Sequence, residues 1–105
     1  MWKISRMTYG FYEANETGEI RRLKKSMGAR VGHILKPEIN AKGYKQVVVS
    51  IGGFTRMIEV HQIIADCFIG TIPPMKEIHH KDHNRLNNNA ENLEYVTRKE
   101  HRSRK

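Results

Sequence analysis

The stretch that decides the fold lies between residues 78 and 101 and reads Ile78-His79-His80-Lys81-Asp82-His83-Asn84-Arg85-Leu86-Asn87-Asn88-Asn89-Ala90-Glu91-Asn92-Leu93-Glu94-Tyr95-Val96-Thr97-Arg98-Lys99-Glu100-His101. Paired histidines open it, and a polar loop rich in Asp and Asn leads to the apolar run Leu93–Val96. Thr97–Glu100 then has the spacing of a helix capping box. This order predicts a strand, a long ordered loop, a strand and a helix, which would bring His80 close to His101.

The composition limits the chain to one domain, or one domain with an appendage, because it has 105 residues of which 38% are hydrophobic. Lys and Arg number 19 against 11 Asp and Glu, a net charge of +8 at pH 7 that favours a polyanionic partner such as nucleic acid. One Cys allows no internal disulfide, and no apolar run is long enough to cross a bilayer. We therefore expect a reducing, cytoplasmic setting with no membrane and no evident protein partner.

The N-terminal third is predicted to be strands followed by a basic loop. Residues 3–22 carry β-forming residues on either side of the turn signal Asn15–Gly18. Residues 21–36 then carry six basic residues and no acidic one. Such a run is either a solvated surface or a phosphate contact, and the net charge of the chain favours phosphate contact.

The middle of the chain predicts a hairpin and then a helix. A β-branched run through Val47–Val49 is followed by the two-residue turn Gly52-Gly53 and a return strand. From Val60 the apolar period changes to that of one helical face, and Gly70 ends the helix. We expect Met57 and Met75 to fill the core, and His61, which lies off the apolar stripe, to be structural and not catalytic.

The polar residues of the stretch suit the hydrolysis of a phosphodiester bond. A neutral imidazole has a pKa near the operating pH and can deprotonate water, which is the role expected of His80. Asp and Asn side chains bind nearby backbone groups and stabilise turns, so Asp82, Asn84, Asn87 and Asn88 are expected to structure the loop. His83 is expected to be a surface loop residue.

The stretch His79–His101 resembles the HNH endonucleases, in particular their phage and intron-encoded homing-endonuclease branch. The resemblance rests on the paired His, an Asp two residues later, Asn-Asn, Asn92-Leu93, and a last His nine residues after Asn92. Residues 43–49 and 60–69 resemble the hairpin and helix that precede this motif, and residues 12–21 more weakly resemble a small N-terminal module found with it.

The resemblance implies a fold and a set of site residues. The fold is α+β: N-terminal antiparallel strands and a helix, followed by a ββα-metal (His-Me finger) motif. The implied catalytic residues are His80, Asn92 and His101, with His79 and His101 as the metal ligands. Some HNH nucleases carry a second metal ligand four residues after the first one on the helix. Here that position is Lys105, so only two protein ligands are expected. Such an open site favours Mg²⁺ or Mn²⁺, with Zn²⁺ and Ni²⁺ as alternatives.

The function expected is a metal-dependent HNH endonuclease that nicks or cuts duplex DNA, in a bacterial host cell and encoded by a phage. Residues 1–33 would be a basic strand-and-loop module contacting DNA, and residues 34–105 an HNH endonuclease domain with its ββα-metal motif at 78–105. Related homing endonucleases commonly continue into a C-terminal DNA-binding segment, whereas this sequence stops at Lys105. We therefore expect the DNA contacts to come from ten basic residues: Arg21, Arg22, Lys24, Lys25, Arg30, Arg98, Lys99, Arg102, Arg104 and Lys105. The alternatives are a catalytically inactive HNH-fold DNA-binding protein and a basic RNA-binding module.

Overall fold

The computed structural model describes residues 1–24 and 30–99. These residues form eight strands, one α-helix and a single 3₁₀ turn in the order β1 (Trp2–Ile4), β2 (Tyr12–Asn15), β3 (Ile20–Arg22), β4 (Glu38–Ile39), β5 (Lys45–Ile51), β6 (Phe54–Glu59), α1 (Val60–Phe68), β7 (Lys76–His80), the 3₁₀ turn Ala90–Asn92 and β8 (Leu93–Thr97). The strands are antiparallel and lie in sheets ordered β1-β2-β3, β4-β5-β6 and β7-β8. The predicted α+β class is confirmed.

The hairpin and helix of the middle region lie where the sequence predicts them. Gly52 and Gly53 have φ of 53° and 91°, which is the left-handed geometry of a two-residue hairpin turn, and Ile51 pairs with Phe54 across it. The helix α1 follows β6 directly and buries Val60, Ile63 and Ile64. Its apolar face packs against β2, β5 and β8, which places the helix at the centre of the molecule.

The three sheets share one hydrophobic core. Tyr12, Ala14 and Ile20 of the N-terminal sheet belong to the same buried cluster as Val47 and Ile63. The Tyr12 hydroxyl also accepts a hydrogen bond of 2.8 Å from the backbone N–H of Ser50 on β5. The boundary expected at residue 33 therefore separates two parts of the sequence that pack against each other.

Two of the expected core positions are exposed. Met57 is 58% exposed and Met75 is 78% exposed, so the expectation that they fill the core is wrong. Met57 pairs with Val48 on the outer face of the β4-β5-β6 sheet, and Val48 is also exposed. Hydrophobicity alone suggested a core position, but the alternation of side chains along β6 places Met57 outside.

The ribbon β7-β8 carries the paired histidines. His79 pairs with Glu94 and His80 with Leu93. Leu93 is buried in the core shared with α1, which fixes the ribbon to the rest of the molecule. Arg98 and Lys99 begin a helix at the predicted place, while the rest of the expected helix, including His101, lies outside the described residues.

Candidate active site

The paired histidines lie on opposite faces of the ribbon because successive side chains alternate along a strand. Each ring is 5% exposed. The His79 ring lies 5.2 Å from the His83 ring, edge to face, and its Nε2 lies 4.0 Å from Oε2 of Glu94. The His80 ring instead faces the body of the protein. The two imidazoles therefore have different surroundings and can serve different roles.

A hydrogen bond from the loop fixes the orientation of the His80 ring. Nε2 of His80 lies 3.0 Å from Oδ1 of Asn88, a side chain that is 5% exposed. An amide oxygen only accepts hydrogen bonds, so with Asn88 in this orientation the contact requires a proton on Nε2 of His80. The contact holds the His80 ring in one orientation.

Two aromatic rings support His80 on its other sides. The rings of His61 and Tyr44 have their centroids 5.1 Å and 5.8 Å from that of His80, and they lie 4.7 Å from each other. His61 is 6% exposed, and its pKa is lowered to about 4, mainly by burial and also by nearby His80, while Glu59 opposes the effect. His61 is thus an uncharged support at neutral pH.

The sequence analysis assigned His61 a structural role but missed its contact with His80. A signal was present in the helical spacing, because Ala65 lies four residues after His61 and therefore on the same side of α1. Ala65 is fully buried, and it extends the apolar stripe of the helix towards His61. The partner of His61 depends on tertiary packing and could not be predicted from this spacing.

Asn92 holds the two ends of the loop together. Its Oδ1 accepts from the backbone N–H of Asp82 at 3.1 Å, and its Nδ2 donates to Oδ1 of Asp82 at 3.0 Å and to the carbonyl of Asn87 at 2.9 Å. Its carbonyl also accepts from the backbone N–H of Lys81 at 2.8 Å. Asn92 lies inside the fold and organises the segment that follows His80.

The remaining loop residues form local turns, as expected of Asp and Asn. Asp82 accepts hydrogen bonds from the backbone N–H of Asn84 and the side chain of Asn87, both at 2.8 Å. These bonds hold the pKa of Asp82 below its ordinary value, and the bond from the Asn87 side chain has the largest effect. Asn84 in turn accepts from the backbone N–H of Leu86 at 3.0 Å. Leu86 is 38% exposed, so this apolar side chain does not anchor the loop in the core.

His83 lies on the surface of the loop and has a left-handed backbone, with φ of 63°. Its backbone N–H donates to the carbonyl of His80 at 2.8 Å, closing a turn directly after the strand. A left-handed φ is the conformation that glycine adopts most readily, so His83 has a backbone conformation that is uncommon for a residue with a side chain.

The described residues do not compose a metal site by themselves. No group of three His, Cys, Asp or Glu side chains within residues 1–24 and 30–99 lies close enough together to hold an ion. His79 supplies an imidazole donor, and Glu94 and His83 lie beside it. The second expected ligand, His101, lies outside the described residues. The imidazole of His79 and the carboxylate of Glu94 are donor types that divalent cations accept.

The predicted DNA contacts differ in how available they are. Lys24, Arg30, Arg98 and Lys99 are exposed. Arg21 is half-buried, pairs with Glu13 and stacks on the Trp2 ring at 3.8 Å. The other expected contacts in this set, Lys25, Arg102, Arg104 and Lys105, lie outside the described residues.

Arg22 is a correction to the predicted DNA contacts. It is 2% exposed, and its Nη1 donates to the Tyr12 hydroxyl at 2.6 Å and to the carbonyl of Ser50 at 2.7 Å, while its Nε donates to the carbonyl of Lys24. A guanidinium enclosed in this way joins two sheets and does not reach a phosphate. We therefore remove Arg22 from the set of DNA contacts.

No helix among the described residues is long and apolar enough to span a membrane.

Comparison with known proteins places this site in a family. Residues 59–103 match the family described as HNH endonuclease. The chain is 32% identical over 98 residues to the DNA endonuclease I-HmuI of Bacillus phage SP01, covering 93% of this chain and 53% of that protein. It is 35% identical over 88 residues to an uncharacterized HNH endonuclease of Acanthamoeba polyphaga mimivirus, covering 84% of this chain and 24% of that protein.

A solved structure agrees with these relatives. The structure titled as DNA binding and cleavage by the HNH homing endonuclease I-HmuI superposes with a TM-score of 0.82 at 28% identity, covering 98% of this chain and 56% of that one. The chain thus spans about half the length of the phage relative that it matches. Residues 59–103 of this chain are thus an HNH endonuclease segment, and the chain as a whole is similar in sequence and fold to the homing endonuclease I-HmuI.

Proposed function

We propose that this protein is a metal-dependent endonuclease that hydrolyses phosphodiester bonds of duplex DNA. The observation that carries the proposal is the fixed His80 imidazole, bound at Nε2 by Asn88 and lying against the rings of His61 and Tyr44. A base held in one orientation is ready to accept a proton from water without first being reoriented. The match to the HNH endonuclease family and the net charge of +8 support DNA as the substrate.

The role proposed for His80 is general base at Nδ1. With Nε2 donating to Asn88, Nδ1 has the lone pair that removes a proton from the attacking water. Asn92 acts at one remove, because its bonds to Asp82 and to the carbonyl of Asn87 set the path of the loop that carries Asn88. The products proposed are a 5′-phosphate and a 3′-hydroxyl.

The residues proposed to hold the divalent ion are His79 and His101. When bound, such an ion acts as a Lewis acid on the phosphate and stabilises the leaving oxygen. Mg²⁺ or Mn²⁺ is the ion proposed, because two protein ligands leave most coordination positions to water and phosphate. The Glu94 carboxylate, whose Oε2 lies 4.0 Å from Nε2 of His79, adds an oxygen donor on this face and supports this choice.

We propose that this protein binds DNA mainly through phosphate contacts. These come from Lys24, Arg30, Arg98 and Lys99, together with Arg21 and the basic residues outside the described part. Phosphate contacts position a protein without reading sequence, and they weaken steeply as salt rises. We therefore propose modest sequence specificity, and action in the cytoplasm of a bacterial host, which the phage relative supports.

The burial of both imidazoles favours a second candidate function. His79 and His80 are each 5% exposed, and a base that solvent and substrate do not reach would leave an inactive HNH fold that only binds DNA. The two candidates differ in whether His80 affects cleavage.

A plasmid-nicking assay separates them. Supercoiled plasmid is incubated with the wild type, His80→Ala and His33→Ala, with Mg²⁺, with Mn²⁺ and with EDTA, and DNA affinity is measured by fluorescence anisotropy. His33 is an exposed histidine outside the site and serves as the matched control. Nicking that needs the ion, persists in His33→Ala and is lost in His80→Ala at unchanged affinity supports the nuclease. Equal traces for the wild type and His80→Ala support the binding protein.

A further inference from the structure

The turn Asn15–Glu19 between β2 and β3 lies directly against the part of the loop that carries Asn88. The backbone N–H of Ala90 donates to the carbonyl of Glu16 at 2.8 Å. Gly18 comes so close that a Cβ on it would lie 3.0 Å from the backbone oxygen of Asn88 and 3.2 Å from its Cβ. Only a residue without a side chain allows this approach. The N-terminal sheet and the site loop are therefore in backbone contact.

The turn is held in shape by its own hydrogen bonds. Oδ1 of Asn15 accepts from the backbone N–H of Glu19 at 2.9 Å, from that of Thr17 at 3.2 Å and from the Thr17 hydroxyl at 2.9 Å. The Asn15 side chain is 8% exposed. The turn thus has internal hydrogen bonds that hold its shape where it meets the loop.

These contacts form a short chain from the N-terminal sheet to His80. Gly18 touches the backbone of Asn88, and the Asn88 side chain bonds to Nε2 of His80 at 3.0 Å. We propose that the turn Asn15–Glu19 is a positioning element, in which Gly18 sets the place of Asn88 and Asn88 sets the orientation of the His80 ring. Its effect on cleavage rests on the proposed function, since the orientation of His80 matters to catalysis only if His80 is the base.

The inference gives the N-terminal sheet a second task. The sequence analysis assigned residues 1–33 to DNA contact alone. The alternative is that the turn merely packs against the loop, so that a change at Gly18 would lower stability without moving the His80 ring. A readout of the ring itself distinguishes the two.

The chain offers a matched control for this test. Gly18 and Gly53 have nearly equal left-handed φ values of 95° and 91°, so alanine imposes the same backbone strain at both positions. A Cβ at Gly53 has no atom within 4 Å, whereas at Gly18 it meets Asn88. Both variants therefore place alanine at a left-handed φ, but only Gly18→Ala also brings a side chain against the site loop.

The primary measurement is the imidazole ¹⁵N spectrum of labelled protein free of DNA and metal, with the His80 resonances assigned from His80→Gln. Gly18→Ala is expected to shift the Nε2 resonance of His80, because its hydrogen bond to Asn88 is displaced, and Gly53→Ala is expected to leave it in place. Identical His80 resonances in the wild type and Gly18→Ala overturn the inference. This readout does not require nuclease activity, so failure of the proposed function leaves the test intact.

Cleavage rates then test the path of the effect. Gly18→Ala is expected to lower the single-turnover nicking rate about tenfold with DNA affinity within about twofold, since small misplacement of a catalytic group is costly. In an Asn88→Ala background the same change is expected to have little further effect, because the turn acts through Asn88. Independent, multiplying effects of the two changes would show that the turn acts by another route and overturn the inference.

A gentler variant covers the case in which Gly18→Ala does not fold. Thr17→Val removes the hydroxyl that donates to Asn15 and so loosens the turn that carries Gly18, without placing a new side chain against Asn88. It is expected to shift the His80 Nε2 resonance in the same direction and by a smaller amount. A folded Thr17→Val variant with an unchanged His80 spectrum, beside an unfolded Gly18→Ala, counts against the positioning role.

Discussion

The buried His61 predicts that this protein loses stability as the pH falls below neutral. Its pKa is lowered from 6.5 to about 4, mainly by burial. The folded protein therefore keeps His61 neutral in a range where the unfolded chain binds a proton, so stability is fully present above pH 6.5 and is lost as the pH falls towards 4. Each pKa unit is worth about 1.4 kcal/mol, which gives about 3 kcal/mol in total and about 2 kcal/mol by pH 5.

Urea denaturation followed by circular dichroism at pH 7 and pH 5 measures this loss in the wild type, His61→Gln and His33→Gln. His61→Gln is expected to be less stable than the wild type at pH 7, because the glutamine packs less well between Tyr44 and His80. Its drop in the free energy of unfolding between the two pH values should nevertheless be smaller by about 2 kcal/mol. His33 is exposed, so His33→Gln should keep the wild-type drop. Equal drops in all three proteins would refute the assignment of a neutral, buried His61.

Three further predictions concern the packing around the site. Asn92→Ala removes three side-chain hydrogen bonds and should lower the free energy of unfolding by about 2–4 kcal/mol in urea titrations, and a loss below about 0.5 kcal/mol would mean that the loop does not depend on it. Arg22→Lys cannot reproduce the bonds to Tyr12 and Ser50, so it should melt at a lower temperature while the folded protein keeps its DNA affinity in anisotropy titrations; weakened binding at full stability would return Arg22 to the DNA contacts. Ile64→Ala should cost about 2–5 kcal/mol by leaving a cavity in the core, and near-wild-type stability would contradict the packing of α1.

Local signals in the sequence were sufficient for the elements that depend on neighbouring residues. The hairpin turn at Gly52-Gly53 needs two left-handed residues in succession, and the helix α1 shows its apolar period over Val60–Phe68. The Asp and Asn loop was also predictable as ordered, because such side chains bind backbone groups a few residues away. Each of these features depends on residues that lie close together in the sequence, so the sequence alone was enough to predict it.

Features that depend on contacts between distant parts of the chain were harder to predict from the sequence. The burial of Arg22 was suggested by alternation, since Ile20 and Arg22 share a face of β3 and both are buried, but the basic run around Arg22 favoured an exposed interpretation. The supports of His80 come from the residue before β5, from α1 and from the loop, and nothing in their spacing indicates that Tyr44, His61 and Asn88 meet. Tertiary packing determines these contacts.

The central proposal is that His79, His80 and His101 meet at one phosphate-binding site with a shared ion. Anomalous diffraction from crystals of the protein bound to duplex DNA and soaked in Mn²⁺ tests it most directly. The account predicts a single strong peak within coordination distance of imidazole nitrogens of both His79 and His101, with Nδ1 of His80 facing the same phosphate. A peak held by other residues, or a His80 ring turned away from the phosphate, would contradict it.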